Sequence, residues 1–233
     1  MQSIFLFLKS INNSFFIIGV LITCFCGKIE ATTQIPDRLI YKGKTYYLHN
    51  NPLEAYFKKY PKKRPKADVS STALWRGYIA TFEIIDQMLY LKDIEVQVWM
   101  HEEGKEEWQP DVSLKSVVKK IFPDQKKIPI DWCSEILVLP SGKLKKYEHM
   151  GYNSSYEHYT LLEIKEGALL KIKELETDEF AAFKKNQLYL FKKTDRYQTL
   201  AKKWKDKYEY TEEELDQLLE RSILKYTHRF LEE

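Results

Sequence analysis

Cysteine, glycine and histidine are scarce in this chain, and each scarcity removes a class of chemistry. Of 233 residues three are cysteine, and Cys24 and Cys26 both fall inside an apolar N-terminal segment. Cys133, alone in the rest of the chain, can close no intramolecular disulfide, and without a CxxC pair no thiolate zinc site forms. It stands in the apolar run IDWCSEILVLP, which reads as a buried small hydrophobe, with a catalytic thiol as the alternative. Eight glycines leave little material for phosphate-cradling loops. No GxSxG, phosphate-binding glycine loop, HExxH or EF-hand spacing occurs. No metal or cofactor is therefore implied. Charge of one sign is also missing: 37 basic against 34 acidic residues give a formal +3. That balance demands neither nucleic acid nor an anionic membrane.

Long apolar runs are equally few, and the longest has a definite place. Phe15 to Cys26, FFIIGVLITCFC, is twelve residues, preceded by Lys9 and followed by Lys28. This order of a basic n-region, an apolar h-region and a polar exit is that of a secretory signal. Crossing a bilayer takes about 20 apolar residues, and twelve in a helix reach only about 18 Å. A cleaved signal over 1–26 is therefore expected in preference to a spanning anchor. Leu21-Ile22-Thr23-Cys24 resembles a lipobox, with Thr23 where that motif takes Gly, Ala or Ser. Lipidation at Cys24 and release as a free exported domain both stay open. Either places the protein outside the cytoplasm, in the periplasm or tethered through a lipid.

After a linker over 27–37, residues 38–175 read as β-rich. Leu39-Ile40-Tyr41 and Thr45-Tyr46-Tyr47-Leu48 flank Lys42-Gly43-Lys44 as a tight hairpin. From Ala73 to Met100, Tyr78, Ala80, Phe82 and Ile84 alternate with Ile79, Thr81 and Glu83, and Val96 and Val98 alternate with Gln97 and Trp99. This predicts a long antiparallel hairpin turning at Asp86-Gln87. Leu114, Val117, Val118 and Ile121 have one-face helical spacing, so 113–122 is expected to be a helix capped by Ser113 or Asp111. A strand is expected over 128–140, ended by Pro140-Ser141-Gly142. A further hairpin joins Tyr156–Ile164 to Ala168–Leu175 through Glu166-Gly167. TFEIIDQMLYL (81–91) and LLEIKEGALLK (161–171) echo one another at an offset of 80, as any two hairpins or a duplicated half-sheet would.

From 176 onward the period changes to that of helices. Thr177 is expected to cap the first, with Phe180, Phe183, Leu188 and Phe191 on one face. Tyr197, Leu200, Ala201 and Trp204 mark the second. Thr211 and Glu214 make a capping box for the third, whose apolar side runs from Leu215 to Phe230. Strands followed by helices predict an α+β fold: an antiparallel sheet built from hairpins, with the C-terminal helices (176–233) packed on the same domain.

Two segments carry candidate binding residues. KKYPKKRPK, 58–66, holds six basic residues and no acid, with two prolines blocking regular structure. It is a solvated loop or a docking patch for an anionic partner, with Lys62, Lys63 and Arg64 at its centre. Trp75, Arg76 and Tyr78 are residue types enriched in binding hot spots, or else an aromatic sheet core with a bulge at Gly77. A third segment, YEHMGYNSSYEHY, repeats Tyr-Glu-His. Glu148, His149, Glu157 and His158 there are the weak candidates for acid–base catalysis or metal ligation.

WRGYIATFEI followed by LYLKDIEV, with IPDRLIYKGKTYYLHNNPLE upstream, resembles a family of uncharacterised bacterial proteins. The resemblance spans most of the mature chain. It implies a recurring domain and a bacterial source, and it transfers no functional residue. The expectation is an exported, non-catalytic binding domain recognising a protein or ligand of the cell envelope, for example in immunity to a toxin, without nucleic acid. The alternatives are an exported hydrolase using the 147–158 segment and a structural envelope lipoprotein.

Overall fold

The computed structural model describes residues 33–100, 111–149 and 151–232. The predicted signal 1–26 with Cys24, residues 27–32 of the predicted linker and 101–110 lie outside the described residues. The chain runs through β1 (Asp37–Tyr41), β2 (Lys44–Leu48), α1 (Leu53–Lys59), β3 (Ile79–Ile85), β4 (Met88–Met100), β5 (Asp111–Ser116), α2 (Val118–Ile121), β6 (Ile128–Pro129) and β7 (Glu135–Lys146). It continues through β8 (Ser155–Lys165), β9 (Ala168–Glu176), α3 (Thr177–Lys192), α4 (Asp195–Tyr208), α5 (Glu212–Ser222) and α6 (Leu224–Thr227). This is an α+β fold with its helices towards the C-terminus.

Three hairpins organise the sheet, each turning on two residues with positive φ: Lys42-Gly43, Asp86-Gln87 and Glu166-Gly167. Left-handed turns of this kind match the twist of the strands they join. The strand order is β2-β1-β3-β4-β9-β8-β7, with β5 and β6 also on β4. All pairs are antiparallel except β1 with β3, which run parallel. The ends of this path are sewn together. His49 N–H donates to Val138 O (2.9 Å). The buried Asn50 side chain acts as a short strand of its own, donating to Ile136 O (3.0 Å) and accepting from Val138 N–H (2.7 Å).

The echo at an offset of 80 has a structural counterpart. The turns of the β3–β4 and β8–β9 hairpins pair with each other, Met88 opposite Ala168. Leu89 N–H donates to Gly167 O and Leu169 N–H to Gln87 O, both at 2.8 Å. Each bond maps onto the other when residues 80 apart are exchanged, 89 with 169 and 87 with 167. Both returning strands also carry one extra residue, Lys92 and Leu170, at the register shifts. The bulge at Lys92 re-phases β4, so Leu89 and Leu91 and then Ile94 and Val96 face the core.

Two apolar clusters result. The first fills the curl of the sheet with Leu39, Phe57, Tyr78, Phe82, Leu137 and Leu162 among others. The second joins the opposite face of β7 and β8, through Ile136, Val138, Tyr159 and Leu161, to Phe191, Leu215 and Leu219 of the helices. Strands buried on both faces read as continuous apolar runs, which is the character of EILVLP and LLEI.

Several expectations are corrected. Asp37 opens β1 and is fully buried, so the linker ends before it. Residues 111–116 are a strand, and only Val118–Ile121 is helical, without a cap from Ser113 or Asp111. The far half of β4 needs backbone partners, and 111–116 supplies six. That demand overrides a helical spacing whose Leu114 is left exposed. Residues 128–140 are two strands. Pro140 does not stop β7, which continues to Lys146. Beyond Val138 the side of β7 away from β8 needs no N–H, and proline is tolerated at such an edge. Gly77 lies in a turn, donating to Leu74 O, and the bulge is at Lys92, across from Thr81 and Phe82. The first C-terminal helix is capped by Glu176, with Glu179 accepting from its N–H, while the Thr177 hydroxyl donates to Tyr156 O. Thr211 and Glu214 do form the capping box of α5.

Candidate functional site

The residues singled out in the 58–66 loop and at 75–78 converge on one polar network. Arg76 is 2 % exposed, because the turn after Leu74 points its side chain inward beneath β1. Its Nη2 donates to Ile35 O (2.9 Å) and to Asp37 Oδ1 (3.1 Å), and its Nη1 to the Tyr152 hydroxyl (3.1 Å). Asp37 Oδ1 also accepts from Ala80 N–H (2.9 Å). Burial pushes the Asp37 carboxyl up to about 6, against the pull of Arg76 and of the Ala80 N–H. Asp37 Oδ2 and Arg76 Nε are buried without a hydrogen-bond partner among the described residues. Such a group suits fixing β1 to β3, because both charges are committed inward.

Tyr78 is likewise core, not surface. Its hydroxyl donates to Glu54 Oε1 (2.8 Å), and burial drives its pKa far up. Glu54 on α1 also takes both Arg64 nitrogens, Nη1 at 2.9 Å and Nη2 at 2.8 Å, a two-pronged pair. Bonding to Glu54 raises the Arg64 pKa. Arg64 Nη1 further donates to Arg76 O (3.3 Å). Lys63 donates to the Tyr56 hydroxyl (3.1 Å). Arg76 and Tyr78 are therefore buried parts of the scaffold, and Arg64, half-buried, is bonded within it. Trp75, 60 % exposed, and the exposed Lys58, Lys59, Lys62 and Lys66 are what this junction turns outward.

The Tyr-Glu-His repeat is pulled apart. Glu148 pairs with Lys146 (2.7 Å), and the ring of His149 meets that of Tyr147 edge-on. Glu157 accepts from Lys143 N–H (2.9 Å). His158 meets Glu176 (Nδ1 to Oε1, 2.9 Å), both more than half exposed. His158 and Glu176 lie in a groove of about 300 Å³ with Tyr46, Ser141, Thr160 and Glu174. The candidates thus hold separate partners in solvent, where a proton-transfer pair gains little from its surroundings. Among the described residues no group of three His, Cys, Asp or Glu side chains is placed for a metal ion.

Sequence reasoning missed Asp37, Glu54 and Tyr152. Asp37 falls at the end of the expected linker, and an acid one place before an apolar strand gives no local signal of burial. Tyr152 stands inside YEHMGYNSSYEHY, where the Glu and His residues carry the apparent chemistry. It links Arg76 to Asn51, donating to Oδ1 at 3.0 Å, and stacks on His49 at 5.0 Å. Burial raises its pKa to about 12. Cys133 is buried as expected, its thiol pushed well up by burial and by Glu135.

Compared with protein-family models, curated proteins and solved structures, the chain matches none. Among the described residues no helix is long and apolar enough to cross a membrane.

Proposed function

We propose that the protein is an exported, non-catalytic binding domain that recognises an acidic protein surface of the cell envelope through Trp75 and the lysines of the 58–66 loop. The carrying observation is Arg64. By bonding Glu54 and Arg76 O together it ties the loop to the segment bearing Trp75. An exposed tryptophan beside a lysine cluster on a fixed scaffold combines an apolar anchor with charge that steers association. Export, lipidation at Cys24 and membership of the bacterial family rest on the sequence features that suggested them. Toxin immunity is one form of this reading, and a structural envelope lipoprotein would share its compartment.

The test is affinity capture from the native envelope fraction with wild-type protein and with a Lys62→Glu, Lys66→Glu, Trp75→Ala variant. A partner held by wild type, released by salt and lost by the variant supports the reading. A partner held equally by both defeats it. The hydrolase alternative draws on Glu148, His149, Glu157 and His158 of the 147–158 segment, and replacing His149 and His158 by alanine should leave capture unchanged. The intact mass of native protein separates an acylated Cys24 start from a free one.

A further inference from the structure

We infer that β5 is an interface strand: two copies of this chain pair along it, antiparallel, as a two-fold dimer with a continuous sheet. β5 has β4 on one side and no strand on the other among the described residues. It carries no proline and no bulge, two of the devices by which proteins blunt an exposed edge. The ladder shows which backbone groups stay open. Val117 N–H donates to Ile94 O (2.8 Å). In the same register Lys115, Ser113 and Asp111 are then the residues bonded to β4. Val112, Leu114 and Ser116 direct their N–H and C=O groups to the free edge.

Exposed apolar surface lies along the same edge. Trp99, Val112 and Leu114 are 43, 42 and 41 % exposed. Trp99 stands opposite Val112 and Gln97 opposite Leu114, so all three apolar side chains share one face. The other face is the core side, where Lys115 stands opposite the buried Val96.

The sequence of β5, DVSLKS, is complementary to itself. A two-fold antiparallel pair opposes residues of equal parity, because facing residues either both bond or both do not. With Ser113 on the axis, Val112 of each copy faces Leu114 of the other, and both carry outward N–H and C=O groups to exchange. Apolar meets apolar on that face, and Trp99 extends the row. On the other face Asp111 of each copy faces Lys115 of the other. Apolar and opposite-charge cross-strand pairs stabilise a sheet, and like charges opposite one another destabilise it. A carboxylate accepts several hydrogen bonds, so Asp111 can meet this lysine and still keep contacts in its own chain. β9 lacks this property: every two-fold register centred on residues 171–175 opposes like charges, such as Lys171 to Lys173 or Glu174 to Glu176.

This interface shares no residue with the Trp75 surface and does not depend on that reading. Sedimentation velocity of the full-length protein from about 1 to 500 μM tests it. The protein should show a reversible monomer–dimer equilibrium with Kd of roughly 10–100 μM, as suits a small contact. Leu114→Pro removes an outward N–H and leaves the bonds to β4 in place, a position where proline is tolerated. It should weaken the dimer at least about tenfold and keep the circular dichroism of the wild type. Asp111→Lys sets lysine against lysine twice in each dimer and should weaken it about five- to tenfold. Adding Lys115→Asp to that variant exchanges the charges and should restore the wild-type Kd to within about twofold. A protein monomeric at the highest concentration, a dimer unchanged by Leu114→Pro or by Asp111→Lys, or a charge exchange that recovers nothing would overturn the proposal.

Discussion

Arg76 and Asp37 form an ion pair from which solvent is excluded on both sides: Nη2 lies 3.1 Å from Oδ1, and neither side chain is exposed. The pair spans the parallel junction of β1 and β3, where Asp37 also takes Ala80 N–H. Neither charge is spare for a partner, and each depends on the other for its place in the interior.

Removing one partner should therefore cost far more than removing both. Arg76→Met strands a buried carboxylate and should lower stability by about 3–5 kcal/mol. The double substitution Arg76→Met, Asp37→Asn should recover part of that loss. Urea unfolding of the wild type, both single variants and the double variant measures the coupling. Additive losses, with the double variant losing the sum of the two singles, would mean the pair does not act as a unit.

The pH dependence of stability should hold two opposing terms in one window. Asp37 is raised from 3.8 to about 6. The stability it contributes is full below 3.8 and falls as pH rises to about 6, by roughly 3 kcal/mol at most. His49 is lowered by burial from 6.5 to about 4. Its contribution is full above 6.5 and falls as pH drops towards about 4. The charged and titratable groups around this pair are Arg76, Glu54 and Tyr152, with Tyr156 against the His49 ring. His49→Gln should unmask the Asp37 term, giving stability that declines from pH 4 to 6 relative to wild type. Denaturation series at half-unit pH steps for both proteins check this, and parallel curves would contradict it.

Gly167 should be replaceable by nothing larger. At φ 81° an added Cβ would lie 2.9 Å from Ile130 O. Gly43 has a similar φ of 74° but nothing within 4 Å. Gly43→Ala should cost about 1–2 kcal/mol, the penalty of left-handed backbone alone, and Gly167→Ala clearly more. Thermal unfolding of the two variants compares them directly. Equal losses would place the Ile130 backbone further away than described.

The Cys133 thiol should be inert in the folded protein. It is buried, raised well above its ordinary pKa, and directed at Glu135 (3.5 Å). Ellman's reagent should label it only in denaturant. Fast labelling at neutral pH in the native state would contradict its burial.

Local patterns were enough for the hairpins, because each rests on two turn residues and on the alternation that flanks them. Lys42-Gly43, Asp86-Gln87 and Glu166-Gly167 turn where the sequence places them, and the capping box at Thr211 opens α5. The α+β class follows from the same patterns. Other features depended on partners distant in the chain. Residues 111–116 became a strand because β4 left backbone groups to satisfy. Asp37 lies in the interior and not in a linker, and for Arg76 and Tyr78 the core alternative holds over the binding surface, because Glu54, Ala80 and Tyr152, far off in sequence, supply their hydrogen bonds. Backbone turns are short-range physics and can be read along the chain. The burial of polar groups is decided by who pays their desolvation, and those partners are assembled only by the tertiary fold.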